Sequence, residues 1–398
     1  MEINISDKRP IENKKAYDVI VVGGGIAGVS AAVSAARNGA STLLIEKQIN
    51  LGGLATMGLI SWYEPLCDGN GNQVIYGIAE ELIKLSVKYG FENLPKRWGG
   101  EGENPNRYDR YATFYSPTIF SLALDEFVRD SGADIRFDTL ATYPVVENGH
   151  CNGVVCESVS GREFYPCGCI IDATGDASVC AAAGLPLEVG TNYHVYVSHA
   201  YFRKDLDDYQ KTNDVVKFRR WFSCGGDMYG NNQPSDLKPM NEYNSDSENE
   251  FIKWGKKRIF ERINSASSKN DRDIMMLPTM PQYRKIRRLV GEATFDGTVL
   301  HYEDSIGKCG DFRKAGPVFE IPFGALYNKK VDNLLAAGRI ISATGDGWEI
   351  IRVIPVCALT GEAAGIAAAI CSNQECNINK LDIGELQKTL LKCNINIQ

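Results

Sequence analysis

Three glycines near the start of the chain have the residue type and spacing from which chemistry can be inferred most directly. Gly23, Gly25 and Gly28 form the pattern G-x-G-x-x-G and follow residues 19–22, an apolar run typical of a strand buried on both faces. In such a turn the first glycine reverses the chain, the second lets the backbone approach a pyrophosphate, and the third lets the next helix pack close to the strand. The N-terminus of that helix offers N–H groups and a partial positive charge to phosphates. The pattern therefore indicates dinucleotide binding.

A carboxylate stands where a ribose-binding acid is expected. Residues 29–37 predict a helix, residues 41–45 predict a second strand, and that strand runs into Glu46. An acid about 20 residues beyond the glycines accepts hydrogen bonds from ribose hydroxyls in dinucleotide-binding folds. The order of strand, helix, second strand and acid favours a dinucleotide-binding unit over an ordinary glycine-rich turn.

Composition limits the classes of protein to which the chain can belong. The 398 residues are enough for roughly two to three domains. The net charge of −7 argues against nucleic acid as the main partner, because phosphate binding needs clustered Lys and Arg. The 12 cysteines are scattered without a C-x-x-C pair, which favours a reduced, cytoplasmic setting and gives no sign of a metal site.

Neither the N-terminal residues nor the longest apolar segment predicts a membrane protein. Residues 1–15 are polar and lack the apolar core of a secretory signal. Residues 353–371 are apolar but include Pro355, Gly361 and Glu362, so we interpret them as a buried helix and expect no membrane partner.

Three further motifs also place glycine after a predicted strand. A glycine-rich loop, Gly52-Gly53-x-x-Thr56, follows the second strand, and Ala173-Thr174-Gly175 follows the apolar residues 170–171. Gly338-Arg339 follows another apolar run. Together with the first glycine motif and Glu46, these motifs resemble the FAD-dependent oxidoreductases of the glutathione-reductase superfamily, and more narrowly the bacterial group named simply FAD-dependent oxidoreductases.

The resemblance covers most of the chain and implies a fold. It predicts an α/β protein with a Rossmann-like FAD-binding domain built from the discontinuous segments 1–60, 110–186 and 325–398. A second, α+β substrate domain would then consist of residues 61–109 and 187–324.

The resemblance also implies which residues contact FAD. In the family, the C-terminal segment directs a helix N-terminus at the flavin pyrimidine, where the reduced flavin carries negative charge. Transferred onto this sequence, the predicted FAD-binding residues are Gly23, Gly25, Ile26, Ala27, Gly28, Glu46, Lys47, Gly52, Gly53, Leu54, Ala55, Thr56, Val145, Ala173, Thr174, Gly175, Gly338, Arg339 and Pro355.

Histidine is the first candidate for a base that removes an O–H or N–H proton from a substrate. His150 follows a turn and is expected on the surface. His194 and His199 differ by five positions, so they point to opposite faces of a regular strand and at most one can face the flavin. His301 lies within the matched region. We favour a structural role for the last three, while His194 and His301 remain catalytic candidates.

Other catalytic candidates lie near the C-terminal motif. Related family members often carry a histidine directly after Ser-Ala-Thr, whereas this chain continues with residues 345–349 and no histidine. Asp346 or Glu349 could substitute, although an acid in a solvated loop is the favoured interpretation. Arg352 precedes the helix that faces the flavin and is a candidate for either catalysis or structural pairing. Cys357 is more typical of a small core residue than of a reactive thiol.

The segment 283–288 is strongly basic. It could bind an anionic substrate through its arginines, but pairing with Glu292 or Asp296 on a helix face is favoured.

Residues between the matched motifs predict the substrate domain. We expect a helix over 77–89, a strand over 191–202, and a long mobile loop over 225–248. Ser247 would cap a helix over 248–264, with one buried face formed by Ile252, Ile259, Phe260 and Ile263.

These features predict an FAD-dependent oxidoreductase that transfers a hydride between flavin N5 and a small hydroxyl- or amine-bearing substrate, such as a sugar derivative. Two alternatives remain open: a flavin reductase or monooxygenase fed by NAD(P)H, and a non-catalytic flavin-binding redox subunit. A single dinucleotide motif argues against a second built-in nucleotide domain, and the absence of iron–sulfur cysteine spacing weakens the redox-subunit alternative. A homo-oligomer is compatible with the sequence.

Overall fold

A computed structural model describes residues 11–91, 93–101, 110–214, 217 and 220–397. The described strands are β1 (Glu12–Asn13), β2 (Tyr17–Val22), β3 (Thr42–Ile45), β4 (Trp62–Tyr63), β5 (Thr113–Phe114), β6 (Asp134–Arg136), β7 (Leu140–Glu147), β8 (His150–Ser158), β9 (Gly161–Asp172), β10 (Leu187–Val189), β11 (Val195–Phe202), β12 (Arg220–Gly225), β13 (Arg272–Met276), β14 (Arg287–Leu289), β15 (Ser305–Gly310), β16 (Val318–Pro322) and β17 (Leu334–Ala336). The described α-helices are α1 (Ile26–Arg37), α2 (Ile78–Lys88), α3 (Pro117–Asp130), α4 (Ser178–Ala182), α5 (Arg203–Thr212), α6 (Ser245–Ala266), α7 (Gly345–Ile350), α8 (Ile354–Gln374) and α9 (Ile383–Lys392).

The main sheet has the strand order β6-β3-β2-β9-β8-β7, with β1 and β17 also paired to β9. Strands β6, β3, β2 and β17 run parallel to β9, whereas β8 and β7 continue from it as an antiparallel meander. The central residues of β2 and β3 are buried on both faces: Val19, Val21 and Leu44 pack in one core with α1 and α8, and Ile20, Val22, Leu43 and Ile45 pack in a second core with residues of β8 and β9. The predicted α/β fold is confirmed, and β7 and β8 form a hairpin that turns between Glu147 and His150.

Helices α1 and α8 pack against each other through small residues on one face of the sheet. A Cβ added at Gly361 would lie 2.1 Å from the Ala27 carbonyl oxygen, and one at Gly365 would lie 2.1 Å from Ser34 Oγ. Only glycine permits so close a helix contact. The contact fixes the N-terminus of α8 relative to the N-terminus of α1.

Helix α8 is the core helix that the sequence predicts. In the part of the chain that the structure describes, it alone is long and apolar enough to cross a bilayer, and 89% of its apolar window is buried within the protein.

A buried acid joins α8 to the start of α2. Glu362 is 3% exposed, and its Oε2 accepts a hydrogen bond of 2.8 Å from the Ile78 backbone N–H. Burial raises the pKa of Glu362 to about 8, although the Ile78 hydrogen bond opposes the shift. The folded protein therefore holds a proton at neutral pH that the unfolded chain releases.

Stability is expected to depend on pH through this residue. Because the folded pKa is raised, the contribution of Glu362 to stability is fully present below the ordinary pKa of 4.5 and is lost as pH rises through the folded value of about 8. We expect the free energy of unfolding to fall by about 4 kcal/mol across that range. Denaturant titrations from pH 5 to 9 should show Glu362→Gln losing this dependence, whereas Glu250→Gln on the surface retains it. A wild-type profile identical to that of Glu362→Gln would contradict this assignment.

A smaller antiparallel sheet, β12-β11-β13, forms a separate core with α6. Two details of the predicted helix are wrong. Asn244 caps α6 by accepting a 2.9 Å hydrogen bond from the Ser247 N–H, so Ser247 lies inside the first turn rather than at the cap. Phe260 is 68% exposed, and the buried residues of α6 are instead Phe251, Gly255, Ile259 and Ile263. The buried face of α6 begins at Phe251 rather than at Ile252, so Phe260 lies on the outer face of the helix.

The main apolar core crosses the boundaries predicted between the two domains. Leu82, Ile306 and Phe319 all belong to it, although each lies in a segment predicted for the substrate domain. Residues 195–286 instead contribute to two small clusters of their own. The packing thus ties the described residues of 61–101 and the hairpin of β15 and β16 to the main sheet.

Candidate active site

Four parallel strands end at the same edge of the main sheet. Val22 lies beside Ile45 on one side and Asp172 on the other, and Ala336 also pairs with Asp172. Each strand therefore delivers its next residues to one place, which are Gly23, Glu46, Ala173 and the segment 337–339. In open α/β sheets this carboxyl edge is where ligands bind.

A cavity of about 490 Å³ lies at this edge. Most of the residues predicted to contact a cofactor line it, from four distant parts of the chain. These are Gly23, Gly25, Ile26, Ala27, Glu46, Lys47, Gly52, Gly53, Leu54, Ala55, Ala173, Thr174, Gly175, Gly338 and Arg339, together with the predicted catalytic residue Arg352.

Two predicted contacts lie behind the cavity wall. A Cβ at Gly28 would lie 1.8 Å from the Gly23 carbonyl oxygen, so this glycine permits the contact between α1 and its own turn. Thr56 is buried, and its hydroxyl donates a 2.5 Å hydrogen bond to the Leu51 carbonyl, which shapes the glycine-rich loop. Both residues support the cavity without lining it.

Val145 and Pro355 also do not line the cavity. On β7 the cavity is reached by Leu140 and Ala141, several residues before Val145. On α8 it is reached by Ile354 and Cys357, whereas Pro355 occupies the first turn, where its missing N–H is harmless.

The start of α1 forms a cradle without side chains. Gly25 is its N-cap, no side chain caps the helix, and a Cβ at Gly25 would meet no atom within 4 Å. Opposite it, a Cβ at Gly53 would lie 3.1 Å from the Gly25 Cα. The N-terminal N–H groups of α1 thus face open space, a geometry that fits phosphate groups.

Glu46 is held rigidly beside this cradle. Its Oε2 accepts a 2.5 Å hydrogen bond from the Gly24 N–H, and its Oε1 accepts one of 2.8 Å from the Gln48 N–H. Burial raises the pKa of Glu46, and the two backbone donors partly offset that rise. A carboxylate has further lone pairs beyond these two bonds, so hydroxyl donors can still be accepted.

Arg339 supplies positive charge to the cavity wall. Its Nε donates a 2.6 Å hydrogen bond to the Gly175 carbonyl, and its Nη1 donates to the Tyr283 carbonyl. Burial lowers the pKa of Arg339, and no carboxylate lies within salt-bridge distance among the described residues. An anionic ligand in the cavity would meet this charge.

Glu349 is buried and doubly paired, which corrects the interpretation of a solvated loop acid. It lies in α7, is 5% exposed, and its Oε1 is 2.7 Å from Lys285 Nζ. Its Oε2 accepts a 2.7 Å hydrogen bond from Arg352 Nε. Burial opposes ionisation, but the two cations outweigh it and hold the pKa of Glu349 below its ordinary value. The acid thereby orients Arg352 at the cavity.

The basic segment 283–288 does not pair as predicted. It is extended rather than helical, and Arg287–Leu289 pairs with β10. Arg288 pairs with Glu188 and Lys285 with Glu349, so neither Glu292 nor Asp296 is a partner of these two cations. The correct partners lie about 60 to 100 residues away in the chain, where helix spacing gives no guidance.

The candidate histidines lie away from the cavity wall. His194 is 3% exposed and packs against Phe251 and Trp254, and burial lowers its pKa. The side chain of His301 is 78% exposed beside Glu320. His194 is therefore a packing residue of a small core and His301 a surface residue, and neither lines the cavity.

Two of the remaining candidates are paired with ionisable side chains, and the third is a neutral thiol. Asp346, in the first turn of α7, is exposed and pairs with Arg313 at 2.9 Å. His150 pairs with Asp332 at 2.7 Å. Cys357 lines the cavity, but burial raises the pKa of its thiol to about 12, so the thiol is neutral at physiological pH.

Several residues that line the cavity have no local signal in the sequence. The Tyr243 hydroxyl donates a 3.1 Å hydrogen bond to Glu248 and lies 3.5 Å from Asp176, so the start of α6 closes over the turn after β9. Residues 279–281 and Tyr283 form the adjacent wall. The capping box at Asn244 could have located the start of α6, but not which surface it contacts.

Comparison with known proteins identifies relatives of the chain. A family model described as FAD dependent oxidoreductase matches residues 18–294 and 298–390. A thioredoxin reductase from Ureaplasma parvum is 31% identical over 80 residues, which are 20% of this chain and 26% of that protein. Digeranylgeranylglycerophospholipid reductase 2 from Methanothermobacter thermautotrophicus is 28% identical over 184 residues, which are 42% of each chain. The chain therefore spans less than half the length of the curated relatives that it matches.

One solved structure is similar over nearly the whole chain. A geranylgeranyl bacteriochlorophyll reductase-like protein from Thermoplasma acidophilum superposes with a TM-score of 0.51 at 15% identity, covering 97% of this chain and 85% of that one. A likeness at this identity shows the fold alone.

Proposed function

Because the chain belongs to the FAD dependent oxidoreductase family, we propose that it binds FAD in the cavity and uses it to oxidise a small hydroxyl- or amine-bearing substrate. The observation that carries this proposal is the convergence of four strand ends, with Gly23, Glu46, Ala173 and Gly338 at one edge of the sheet. Such a convergence creates an elongated site suited to a dinucleotide.

The residues around the cavity fit each part of the cofactor. The uncapped start of α1 and the glycines at 25 and 53 suit the pyrophosphate, with Arg339 adding positive charge. The free lone pairs of Glu46 suit ribose hydroxyls. Leu54 and Ala55 add apolar surface to the cavity wall, which suits contact with a planar ring.

The positive charge near Arg352 and the start of α8 indicates which chemistry the cavity supports. When bound, the flavin supplies a hydride acceptor at N5. Arg352 and the uncapped N-terminus of α8 provide positive potential there, which favours a group that gains negative charge on reduction. Glu349 holds the Arg352 guanidinium in place for this role.

A reductase that receives electrons from NAD(P)H is the second candidate. It is favoured by the names of the curated relatives, which are reductases. Against it stands the presence of a single dinucleotide motif in the chain, so NAD(P)H would have to reach the flavin without a dedicated binding domain.

The proposal predicts a yellow protein. We expect the purified chain to carry FAD, released on denaturation in a one-to-one ratio, and its flavin absorbance to bleach anaerobically with a substrate from a hydroxyl- and amine-compound screen. Rapid bleaching by NADPH alone would favour the reductase instead. A colourless protein that does not take up added FAD would overturn the placement of the cofactor. As a matched variant, Glu46→Leu should weaken FAD binding about tenfold or more, through loss of the ribose acceptor.

A further inference from the structure

Positive charge exceeds negative charge beside the Arg352 end of the cavity. Three cations, Arg284, Lys285 and Arg352, surround the single buried carboxylate of Glu349. Lys285 and Arg352 each bind that carboxylate, at 2.7 Å and 2.5 Å. Arg284 does not share it, because no carboxylate lies within salt-bridge distance of Arg284 among the described residues.

The guanidinium of Arg284 is only weakly engaged. Its Nη1 and Nη2 both lie 3.4 Å from the Gly226 carbonyl oxygen, at the long limit of a hydrogen bond. The nearby acid Asp227 is exposed and is bound by Asn231 and by loop N–H groups. Burial lowers the pKa of Arg284 to about 10, and repulsion from Arg352 adds to the shift. A partly buried cation held by two long hydrogen bonds gains from a closer opposite charge, so the site is suited to an incoming anion.

Arg352 has a donor left for the same anion. Its Nε and Nη2 are both directed at Glu349 Oε2, whereas its Nη1 has no partner within the described part of the chain. Arg352 lines the cavity, so this donor is within reach of a ligand there. Arg284 does not itself line the cavity, but it lies close enough to Arg352 to repel it. Two guanidinium groups therefore stand together at the cavity wall, and planar guanidinium matches carboxylate geometry.

We propose that Arg284 and Arg352 bind the carboxylate of the substrate, which makes the substrate a hydroxy- or amino-carboxylate. This inference rests on the proposed function and narrows its substrate class. A monoanion is favoured over a phosphate dianion, because Glu349 and the nearby Asp227 offset two of the three cations and leave an excess close to one charge.

Titration of the FAD-loaded protein with benzoate tests the proposal without turnover. We expect saturable perturbation of the flavin absorbance by benzoate, and little effect from its neutral isostere benzamide. Arg284→Met should raise the benzoate Kd about tenfold or more, with a smaller rise in Arg284→Lys, because lysine keeps the charge and loses the fork. Arg258→Met is the matched control, since Arg258 lies on α6 and pairs with Glu261 at 3.1 Å on the surface. Its Kd should equal that of the wild type.

Three results would overturn the proposal: benzoate binding that does not saturate, an unchanged Kd in Arg284→Met, or inorganic phosphate that binds more tightly than benzoate. Circular dichroism and flavin content establish that each variant is folded and loaded. If Arg284→Met fails to fold, the comparison of Arg284→Lys with the wild type decides. A protein that takes up no FAD contradicts the proposed function instead, and calorimetry with benzoate on the same variants then tests the carboxylate site by itself.

Discussion

Replacing Gly25 with valine is expected to give a folded protein that contains no FAD. The backbone of Gly25 has φ −68°, which valine can adopt, and a Cβ at this position would meet no protein atom within 4 Å. The added methyl groups would instead occupy the open space in front of the N-terminal N–H groups of α1, where the pyrophosphate must approach. The substitution therefore acts on the ligand rather than on the fold.

The measurement is flavin content together with thermal unfolding. Gly25→Val should purify colourless, with a circular dichroism spectrum like that of the wild type and the Tm of wild-type protein stripped of FAD. That Tm will be below the FAD-bound value, because ligand at about 100 times Kd stabilises the folded state by about 2.7 kcal/mol. Full flavin occupancy in Gly25→Val would show that the pyrophosphate lies elsewhere.

Gly28→Val is the matched control. It lies three residues along the same motif, but its Cβ would lie 1.8 Å from the Gly23 carbonyl oxygen and 3.3 Å from Ala173 Cβ. We expect Gly28→Val to lose the folded state itself, with insoluble expression or a non-cooperative melt. The two glycines are equivalent in the motif, and the structure separates them into one that makes room for a ligand and one that makes room for a helix.

The parts of the site that could be predicted from sequence are those built by local geometry. The turn after β2 needs glycine at a φ of +101° for Gly23, and such requirements leave a readable spacing. Glu46 is similarly placed by the short distance from the end of its strand. These residues line the cavity because parallel strands end together, a property of the fold rather than of any long-range detail.

The parts that could not be predicted depend on contacts between distant segments. Glu349 looked like a loop acid because Lys285, one of its two partners, is distant in the chain and meets it only once the segment before β14 packs beside α7. Tyr243 lies in a polar stretch typical of a mobile loop, yet it lines the cavity, where its hydroxyl is 3.5 Å from Asp176. The apolar residues of α6 are spaced so that either of two adjacent helix faces could be buried. Packing against β11 buries the face that contains Ile259 and Ile263 and leaves Phe260 exposed.

Replacing Glu349 with leucine is expected to destabilise the protein more than any other single change at this end of the cavity. The substitution leaves the charges of Lys285 and Arg352 without their shared partner, and their side chains are only 19% and 15% exposed. Removing one member of a buried ion pair typically costs about 3–5 kcal/mol, because the remaining charge stays desolvated. Denaturant unfolding at neutral pH should show a loss of this size.

The charge on Glu349 also predicts the response to acid and to compensating variants. Since its folded pKa is lowered, its contribution to stability is present above the ordinary value of 4.5 and is lost as pH falls through the lower folded value. Glu349→Leu should therefore lack that part of the acid sensitivity. Combining it with Lys285→Met and Arg352→Met should recover most of the lost stability, because an apolar cluster replaces an incomplete ionic one. Recovery of stability without recovery of benzoate binding would separate the role of Arg352 in folding from its role toward the ligand. A triple variant no more stable than Glu349→Leu would show instead that Glu349 acts through packing and not through charge.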